Sequence, residues 1–265
     1  VFKKEYQVAI GKPSTPTPLG QYTITYKEVN PWWYPPDGGK VIPSGPDNPL
    51  GYRWMGFLPT YGIHGTNAPW SIGKAVSNGC VRMRESDVEE LYDMVPYGAR
   101  VHVTYDRARV RIDNRGRAIL SVFPDVYYYR GLTVRDVQEK LSGQGCFGLL
   151  EEDEIKHLLS NVNSDRHIVF AHFHNLVING TQLGMKAVSL SGTLYIPVKE
   201  VGNLLRQNPI WDDATKQIHV GKKAVKGLYK GGVLYVASEN IPVLFNGQLQ
   251  YRPETNTMEV EILTL

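Results

Sequence analysis

The sequence predicts a mainly β protein with α/β parts, and three observations lead to this class. Short segments that alternate between apolar and polar residues recur along the chain. Glycine and proline, 26 and 17 of the 265 residues, separate these segments and concentrate before residue 70. The C-terminal part contains two copies of one pattern, as expected when two supersecondary units pack together.

The composition is that of a globular chain with a hydrophobic core. Hydrophobic residues make up 42% and charged residues 21%, which excludes a disordered polymer. The net charge of +3, without charge blocks, is too balanced for a dedicated nucleic-acid binder, although it allows weak attraction to an anionic surface. Seven His and two Cys exclude a dense disulfide scaffold and a four-thiolate zinc site. No apolar run approaches the roughly 18 residues of a membrane helix. We expect any signal peptide or anchor to lie upstream of Val1.

The first segment, residues 1–105, opens with two predicted strands, Glu5–Ile10 and Gln21–Tyr26. The stretch between them, 11–20, is rich in proline and cannot be helical, so we predict a rigid loop there. Residues 30–59 are rich in Pro, Gly and Trp, and we expect them to be irregular. Long loops of this kind are usually lids or binding loops, although plain surface coverage is the alternative.

The first segment closes with a helix and a strand. Apolar residues recur at helical spacing over Arg84–Met94, where Ser86 or Glu85 opens the helix and Pro96 follows its end. The alternating residues of Gly98–Tyr105 predict the closing strand.

The second segment, residues 106–166, predicts a small α/β linker module without visible chemistry. Val110–Val122 is typical of a hairpin that turns at Asn114–Gly116. Two helices follow, over Thr133–Ser142 and Glu151–Asn161, because apolar residues recur there at helical intervals.

The third segment, residues 167–265, predicts a two-repeat α+β domain. Superposing Leu194 on Leu234, forty positions later, also aligns Trp211 with Tyr251 without a gap. Each copy is predicted as strand, short helix, aromatic-led strand, turn and strand. Chance similarity is the alternative, since the identities are sparse.

Cys80 and His64 are the candidates for chemistry. A thiol becomes a strong nucleophile only as a thiolate, and an imidazole within hydrogen-bond reach can accept its proton. Gly79 lets a substrate carbonyl approach the backbone, and the N–H groups of Gly79 and Cys80 can face a developing oxyanion. Arg82 is placed to grip a substrate carboxylate. The alternatives are a buried structural cysteine and a disulfide between Cys80 and Cys146.

Three stretches in this order resemble the signature of the YkuD-type L,D-transpeptidases: the His-Gly-Thr triplet that starts at His64, Ile-Gly-Lys-Ala-Val-Ser over 72–77, and Gly-Cys-Val-Arg-Met over 79–83. The loop at 11–20, the segment 45–51 and the stretch 95–101 resemble further motifs of that family. The resemblance covers about residues 1–105 and implies a β-sandwich catalytic domain. Because the family usually begins with a hairpin ahead of the strand at Glu5, we expect that hairpin to be missing here.

The resemblance also implies roles for individual residues. Cys80 would be the acyl-accepting nucleophile and His64 its general base, oriented by the Gly65 carbonyl. Arg82 would contact the carboxylate of the donor peptide, and Ser77 would support the loop. Many members have His at the position of Asn78, which puts a thiolate-supporting role there in doubt, although we do not expect this to inactivate the enzyme. The substrate-binding set implied by the motifs is Tyr61, Thr66, Ser77, Asn78, Gly79 and Arg82.

The function implied is a peptidoglycan L,D-transpeptidase that forms 3→3 cross-links from tetrapeptide stems and releases D-Ala, without a metal or organic cofactor. The alternatives are an L,D-carboxypeptidase that hydrolyses the same stems and a non-catalytic wall-binding protein. Since the substrate lies outside the cytoplasmic membrane, we expect an exported protein associated with the cell wall of a Gram-positive bacterium. A role in cell shape and an adduct with carbapenems follow from the same resemblance.

The repeat segment resembles the copper amine oxidase N-terminal-like domain, a name that does not imply copper. The resemblance rests on Leu-Tyr-Ile-Pro-Val-Lys-Glu-Val over 194–201 and on the strand pattern that follows Trp211. We expect these repeats to contact wall polymer. His172 and His174 alternate so that both face one side of a strand, with His167 nearby, but no carboxylate or thiolate accompanies them. We therefore predict no metal site.

Overall fold

A computed structural model describes residues 4–262 of the chain. It divides into two compact units. The first comprises the residues up to Asp106 together with Asp125–Gly131, and the second comprises Arg107–Pro124 and the residues from Leu132 onwards. No helix of the described residues is both long and apolar enough to cross a membrane.

The first unit contains mostly short strands. Among the described residues its elements are β1 (Ile10–Gly11), β2 (Gly20–Thr23), β3 (Tyr26–Val29), β4 (Arg53–Leu58), β5 (Tyr61–His64), a 3₁₀ turn (Pro69–Ser71), β6 (Ala75–Ser77), β7 (Val81–Arg82), α1 (Glu85–Met94) and β8 (Arg100–Val103). Four of these strands form one sheet in the order β3-β4-β5-β7, in which β5 and β7 are parallel. The other strands form two ladders, β1 with β6 and β2 with β8. A small core of Ile24, Met55, Phe57, Met83 and Val88 lies beneath α1 and the sheet.

Three boundaries in this unit differ from the sequence prediction. Residues 30–59 are not irregular throughout, because 53–58 form β4 in the four-stranded sheet and bury Met55 and Phe57. The predicted strand Gln21–Tyr26 is divided into β2 and β3 on either side of the buried Ile24. Of the predicted strand Glu5–Ile10, regular pairing begins only near its end, at β1 and a bridge from Ala9 to Arg82.

The second unit is built on one large sheet. Its elements are β9 (Ala108–Ile112), β10 (Arg117–Val122), α2 (Val134–Gly143), α3 (Glu152–Leu159), β11 (Arg166–Ile178), β12 (Thr181–Gln182), β13 (Ala187–Leu190), β14 (Thr193–Pro197), α4 (Val198–Leu204), β15 (Ile210–Asp212), β16 (Gln217–Val220), β17 (Lys223–Lys230), β18 (Val233–Ala237), a 3₁₀ turn (Ser238–Asn240), α5 (Ile241–Phe245), β19 (Gly247–Arg252) and β20 (Thr257–Ile262). The main path of the sheet runs β15-β16-β17-β18-β14-β13-β11-β10-β9, and β12 and β20 also pair with β11.

The predicted hairpin and the two predicted helices of the middle segment are present as β9–β10, α2 and α3. The sequence prediction places a boundary at residue 166, whereas β10 pairs with β11 over Arg117–Val122 and therefore joins both segments in one sheet. A shared core that includes Val137, Leu141 and Ile155 covers this part of the sheet.

The two repeats have the same order of elements. The first runs β14, α4, β15 and β16, and the second runs β18, α5, β19 and β20. The central strands β14 and β18 pair with each other, and both copies contribute buried residues to one core, among them Ile196 and Val236. Each copy thus buries a face that it could not bury alone. The mainly β class is confirmed.

Candidate active site

The first unit contains a cavity of about 640 Å³ that is lined by residues from all four strands of the four-stranded sheet. Most of the predicted site residues line it: Tyr61, His64, Ser77, Asn78, Cys80 and Arg82. Gly65, Thr66 and Gly79 do not line the cavity, and all three are buried behind it. The structure therefore brings the predicted thiol, imidazole and guanidinium into one cleft.

His64 ends β5 and is held by its own loop. Its Nδ1 lies 2.7 Å from the carbonyl oxygen of Gly65. Because a carbonyl only accepts, Nδ1 carries the proton and Nε2 is the nitrogen left to act as a base. The indole of Trp54 on β4 stacks on the imidazole at 5.4 Å between ring centroids. Gly62 permits this packing, since a Cβ atom there would lie 2.6 Å from the indole.

Burial controls the protonation of His64. The pKa of His64 is lowered from 6.5 to about 4, mainly by burial and further by the positive charge of Arg82. The hydrogen bond from Nδ1 to the Gly65 carbonyl and the nearby backbone of Leu50 act in the opposite direction, because both favour the protonated ring. The imidazole is therefore neutral at pH 7 and able to accept a proton.

The loop that carries Cys80 is fixed by the hydroxyl of Ser77. Ser77 Oγ accepts the Gly79 N–H at 3.0 Å and donates to the Cys80 carbonyl at 2.6 Å. Gly79 has a φ of 111°, and a Cβ atom there would overlap the ring of Tyr61. The expectation that the Gly79 N–H faces an oxyanion is wrong, because Ser77 already occupies that donor; the Cys80 N–H remains the candidate.

The Cys80 thiol is neutral in this arrangement. Sγ donates to the carbonyl of Thr60 at 3.5 Å. Burial raises the pKa of the Cys80 thiol above its usual value, while a backbone hydrogen bond from Gly62 and the charge of Arg82 act in the opposite direction. Within residues 4–262, thiol and imidazole share the cavity without a direct hydrogen bond. Such contacts often form only with substrate in place.

Arg82 supplies a guanidinium group for which residues 4–262 provide no acidic partner. It lies beside His64 in the pairing of β5 with β7. No Asp or Glu of the described chain forms an ion pair with its guanidinium, and its buried Nε has no hydrogen-bond partner. An unsatisfied buried donor is costly, so this group is suited to a ligand oxyanion such as a carboxylate.

Glu85, which the sequence analysis regarded only as a helix-opening residue, supports the catalytic loop. Its carboxylate accepts the Thr66 N–H at 2.5 Å and the Tyr52 N–H at 3.0 Å. The peptide unit between Gly65 and Thr66 thus contacts His64 through its carbonyl and Glu85 through its N–H. A Cβ atom at either Gly51 or Gly65 would overlap this carboxylate. Those two glycines were the available sequence signal, but nothing in the sequence connects them with residue 85.

The aromatic loop that precedes β4 also lines the cavity, through Trp32, Trp33 and Tyr34. Its conformation depends on the buried side chain of Asn48. The Asn48 amide donates to the carbonyls of Pro31, Ile42 and Pro43 at 2.8, 3.3 and 3.2 Å, and its oxygen accepts the Leu50 N–H at 2.8 Å. One side chain therefore closes this loop on itself beside the reactive groups.

The proline-rich loop predicted over 11–20 supports the nucleophile strand from behind. The Lys12 N–H and the Thr15 hydroxyl both donate to the carbonyl of Ser77, at 2.9 and 3.2 Å. Tyr127 holds this loop, since its hydroxyl donates to the Gly11 carbonyl at 2.9 Å and accepts the Thr17 N–H at 3.3 Å. Residues 125–131 thus complete the first unit although they follow it in sequence.

The structure also bears on the disulfide considered between Cys80 and Cys146 and on the histidines of β11. Cys80 and Cys146 are both free, so the structure contains no disulfide between them. Burial raises the pKa of the Cys146 thiol to about 11. His172 and His174 do face one side of β11, with ring centroids 4.4 Å apart. Both ring nitrogens of His174 are already hydrogen-bonded, to Asn256 Oδ1 at 2.7 Å and to Ser189 Oγ at 2.8 Å.

A cleft with a free thiol, a base fixed by a backbone carbonyl and a nearby cation has the groups that cysteine-dependent acyl transfer or hydrolysis requires. Comparison with known proteins shows what this part of the chain is similar to. Residues 2–103 match the L,D-transpeptidase catalytic domain of the YkuD family. The chain is 46% identical over 108 residues to a putative L,D-transpeptidase, YqjB, of Bacillus subtilis, covering 38% of this chain and 59% of that protein. It is 45% identical over 102 residues to the putative L,D-transpeptidase YkuD of Bacillus licheniformis, covering 38% and 53%.

The chain thus spans somewhat more than half the length of these two relatives. Among solved structures, an L,D-transpeptidase of Stackebrandtia nassauensis matches 38% of this chain and 43% of its own, with 27% identity and a TM-score of 0.30. The match to the YkuD-type L,D-transpeptidase catalytic domain is thus confined to residues 2–103.

Proposed function

We propose that this protein is an L,D-transpeptidase that forms 3→3 cross-links between peptidoglycan stem peptides. The observation that carries the proposal is the cavity in which Cys80, a neutral His64 and the unpaired Arg82 meet within a YkuD-family domain. A donor tetrapeptide ends in a carboxylate one residue beyond the carbonyl that is attacked. Arg82 can bind that carboxylate and so present the carbonyl to Sγ of Cys80.

The first half of the reaction is acylation of Cys80. His64 Nε2 accepts the thiol proton while Sγ attacks the carbonyl at the L-centre of the diamino acid. The Cys80 N–H faces the negative oxygen of the tetrahedral intermediate. When the intermediate collapses, the carbon–nitrogen bond breaks, His64 gives its proton to the leaving amine, and D-Ala departs.

The second half transfers the acyl group to an amine. The side-chain amine of a neighbouring stem attacks the thioester, His64 accepts a proton from that amine, and the proton returns to Sγ as the thiolate leaves. Water in place of the amine would give an L,D-carboxypeptidase. The aromatic loop beside Cys80, closed by Asn48, favours transfer because it covers the thioester with apolar surface.

Incubation with a purified disaccharide-tetrapeptide tests the proposal. Mass spectrometry should detect a cross-linked dimer and free D-Ala, whereas tripeptide alone would indicate the carboxypeptidase. The Cys80→Ala variant should form neither product and no carbapenem adduct, and an adduct that persists in this variant would refute the mechanism. Cys146→Ser is the matched control and should keep turnover within about threefold, because burial raises the pKa of that thiol to about 11 and so keeps it from forming the thiolate.

The location and wider role follow from the substrate. Since peptidoglycan lies outside the cytoplasmic membrane, the proposed activity requires an exported, wall-associated protein, and we extend the proposal to a Gram-positive wall. A contribution to cell shape would follow from cross-linking, and the C-terminal repeats would contact wall polymer. A pull-down of the full chain on purified sacculi, compared with the same chain after muramidase digestion of the sacculi, tests the wall contact.

A further inference from the structure

Four side chains of different chemistry form one row across the four-stranded sheet. Glu28 on β3 pairs with Trp54 on β4, Trp54 pairs with His64 on β5, and His64 pairs with Arg82 on β7. Directly paired residues of neighbouring strands place their side chains on the same face of a sheet. All four line the cavity that contains Cys80. The row therefore has a carboxylate at one end, a guanidinium at the other and the catalytic base between them.

The spacing of strands gives the scale of this row. Neighbouring strands lie about 4.8 Å apart, so Glu28 is about 10 Å from His64 and about 14 Å from Arg82 along the row. A ligand that spans the cavity over this length meets an anion at one end and a cation at the other.

The carboxylate of Glu28 is oriented but not neutralised. Its Oε2 accepts a hydrogen bond from the Tyr26 hydroxyl at 2.8 Å, and its side chain is half-buried. In the described part of the chain it forms no ion pair. The adjacent lysine, Lys27, points its ammonium elsewhere, donating to the carbonyls of Tyr92 and Val95 at the end of α1 at 2.6 Å each.

We propose that Glu28 forms a subsite for a positively charged side chain of the donor peptide, an assignment that rests on the proposed function. The terminal carboxylate of the donor lies at Arg82 and the attacked carbonyl lies beside His64, so the donor residue that supplies this carbonyl extends its side chain along the row. The acceptor amine must reach the same carbonyl and cannot be held about 10 Å away. The cation at Glu28 therefore belongs to the distal end of the donor's diamino acid.

The subsite implies a preference within the class of diamino acids. A distal end with only an ammonium group, as in lysine or in diaminopimelate whose distal carboxyl is amidated, carries a net positive charge. A free distal carboxylate beside the ammonium would face Glu28 and repel it. The enzyme should therefore select donors with a net positive distal group over donors with a neutral one.

Synthetic donor tetrapeptides test this selection in the full chain. Two peptides ending in D-Ala differ only in the residue before it, which is L-lysine in one and Nε-acetyl-L-lysine in the other; a third carries unamidated diaminopimelate. The measured quantity is kcat/KM for D-Ala release, together with the rate of acyl-enzyme formation by mass spectrometry. For the unmodified enzyme we expect the lysine peptide to be favoured about fivefold to tenfold over both others, the effect of one partly buried charge pair.

In the Glu28→Gln variant the ratio between lysine and acetyl-lysine peptides should fall to about one. Glu254→Gln is the matched control, since Glu254 is an exposed residue of the second unit, and it should keep the ratio of the unmodified enzyme. An unchanged ratio in Glu28→Gln, or equal rates for all peptides in the unmodified enzyme, would overturn the subsite while leaving the transpeptidase in place. Absence of D-Ala release from every peptide would refute the proposed function and the subsite with it.

Discussion

Replacing Glu85 by glutamine perturbs the support of the general base without changing the shape of the side chain. Glu85 accepts two backbone N–H groups, whereas a glutamine presents one acceptor oxygen and one NH₂ group. One of the two backbone N–H groups would then face the NH₂ group of the glutamine, which is also a donor. A hydrogen bond to a charged group contributes about 1.5–3 kcal/mol, and Glu85 is only half-buried, so we expect the free energy of unfolding to fall by about 2 kcal/mol.

The catalytic effect of Glu85→Gln follows from the peptide unit that Glu85 shares with His64. When the Thr66 N–H is released, the Gly65 carbonyl is no longer fixed and the imidazole loses its orientation. We expect kcat/KM for D-Ala release to decrease about 10-fold to 100-fold, equivalent to about 1.4–2.7 kcal/mol of transition-state stabilisation. Burial and the charge of Arg82 lower the pKa of His64, and Glu85→Gln changes neither, so the acidic limb of the kcat/KM profile should keep its position.

The assay combines urea unfolding with D-Ala release measured between pH 3.5 and pH 9. Glu89→Gln on the same helix is the matched control, because Glu89 forms an ion pair with Arg53 at 3.5 Å and contacts no catalytic group. It should change kcat/KM less than about twofold. If Glu85→Gln lost stability but kept the kcat/KM of the unmodified enzyme, the assignment of an orienting role to Glu85 would be refuted.

Three further predictions concern other parts of the first unit. The pKa of His64 falls from 6.5 to about 4 on folding, so the folded state favours the neutral ring. As the pH falls from 6.5 to 4, the free energy of unfolding should therefore decrease by about 3 kcal/mol. In urea titrations the His64→Gln variant should not show this decrease. Tyr127→Phe removes two hydrogen bonds and should cost about 1–2 kcal/mol in the same assay, whereas Tyr128→Phe, at an 84% exposed position, should stay within about 0.5 kcal/mol. Gly79→Ala should slow acylation at least about 100-fold, because the strained backbone and the overlap of the new Cβ atom with the Tyr61 ring both displace the nucleophile. Gly73 also has a positive φ, 86°, but open space around it, so Gly73→Ala should cost only about 1–2 kcal/mol of stability.

The reactive residues of the site could be predicted from the sequence more completely than the strand and side chains that hold them in position. Cys80, His64 and Arg82 lie within twenty residues of one another, and their motif carries both their identity and their proximity. The strand β4 was missed because its two buried side chains, Met55 and Phe57, lie within a segment of Pro, Gly and Trp that favours a loop interpretation. Local composition outweighed a short alternating pattern there.

Glu28 and Glu85 could not be recognised from the sequence, for two different reasons. Glu28 joins the site through strand pairing, and the register that aligns it with Trp54 and His64 depends on packing between segments far apart in the chain. Glu85 joins the site through backbone N–H groups, which every residue possesses and which therefore leave no signature in a sequence.

The electrostatics of the cavity favour proton transfer during attack over a preformed thiolate–imidazolium pair. Burial raises the pKa of Cys80 and lowers the pKa of His64, so it opposes both charged forms at once. The charge of Arg82 lowers the pKa of both groups, which favours the thiolate and disfavours the imidazolium, so its two effects on the transfer partly cancel. Burial therefore decides the resting state, and both groups stay neutral. When a donor carbonyl is bound, Sγ can bond to the carbonyl carbon as the thiol loses its proton, so negative charge does not stay on sulfur. The proton then moves to Nε2 without an isolated buried thiolate. The same groups that keep the thiol unreactive in water thus make its reaction depend on a correctly placed donor peptide.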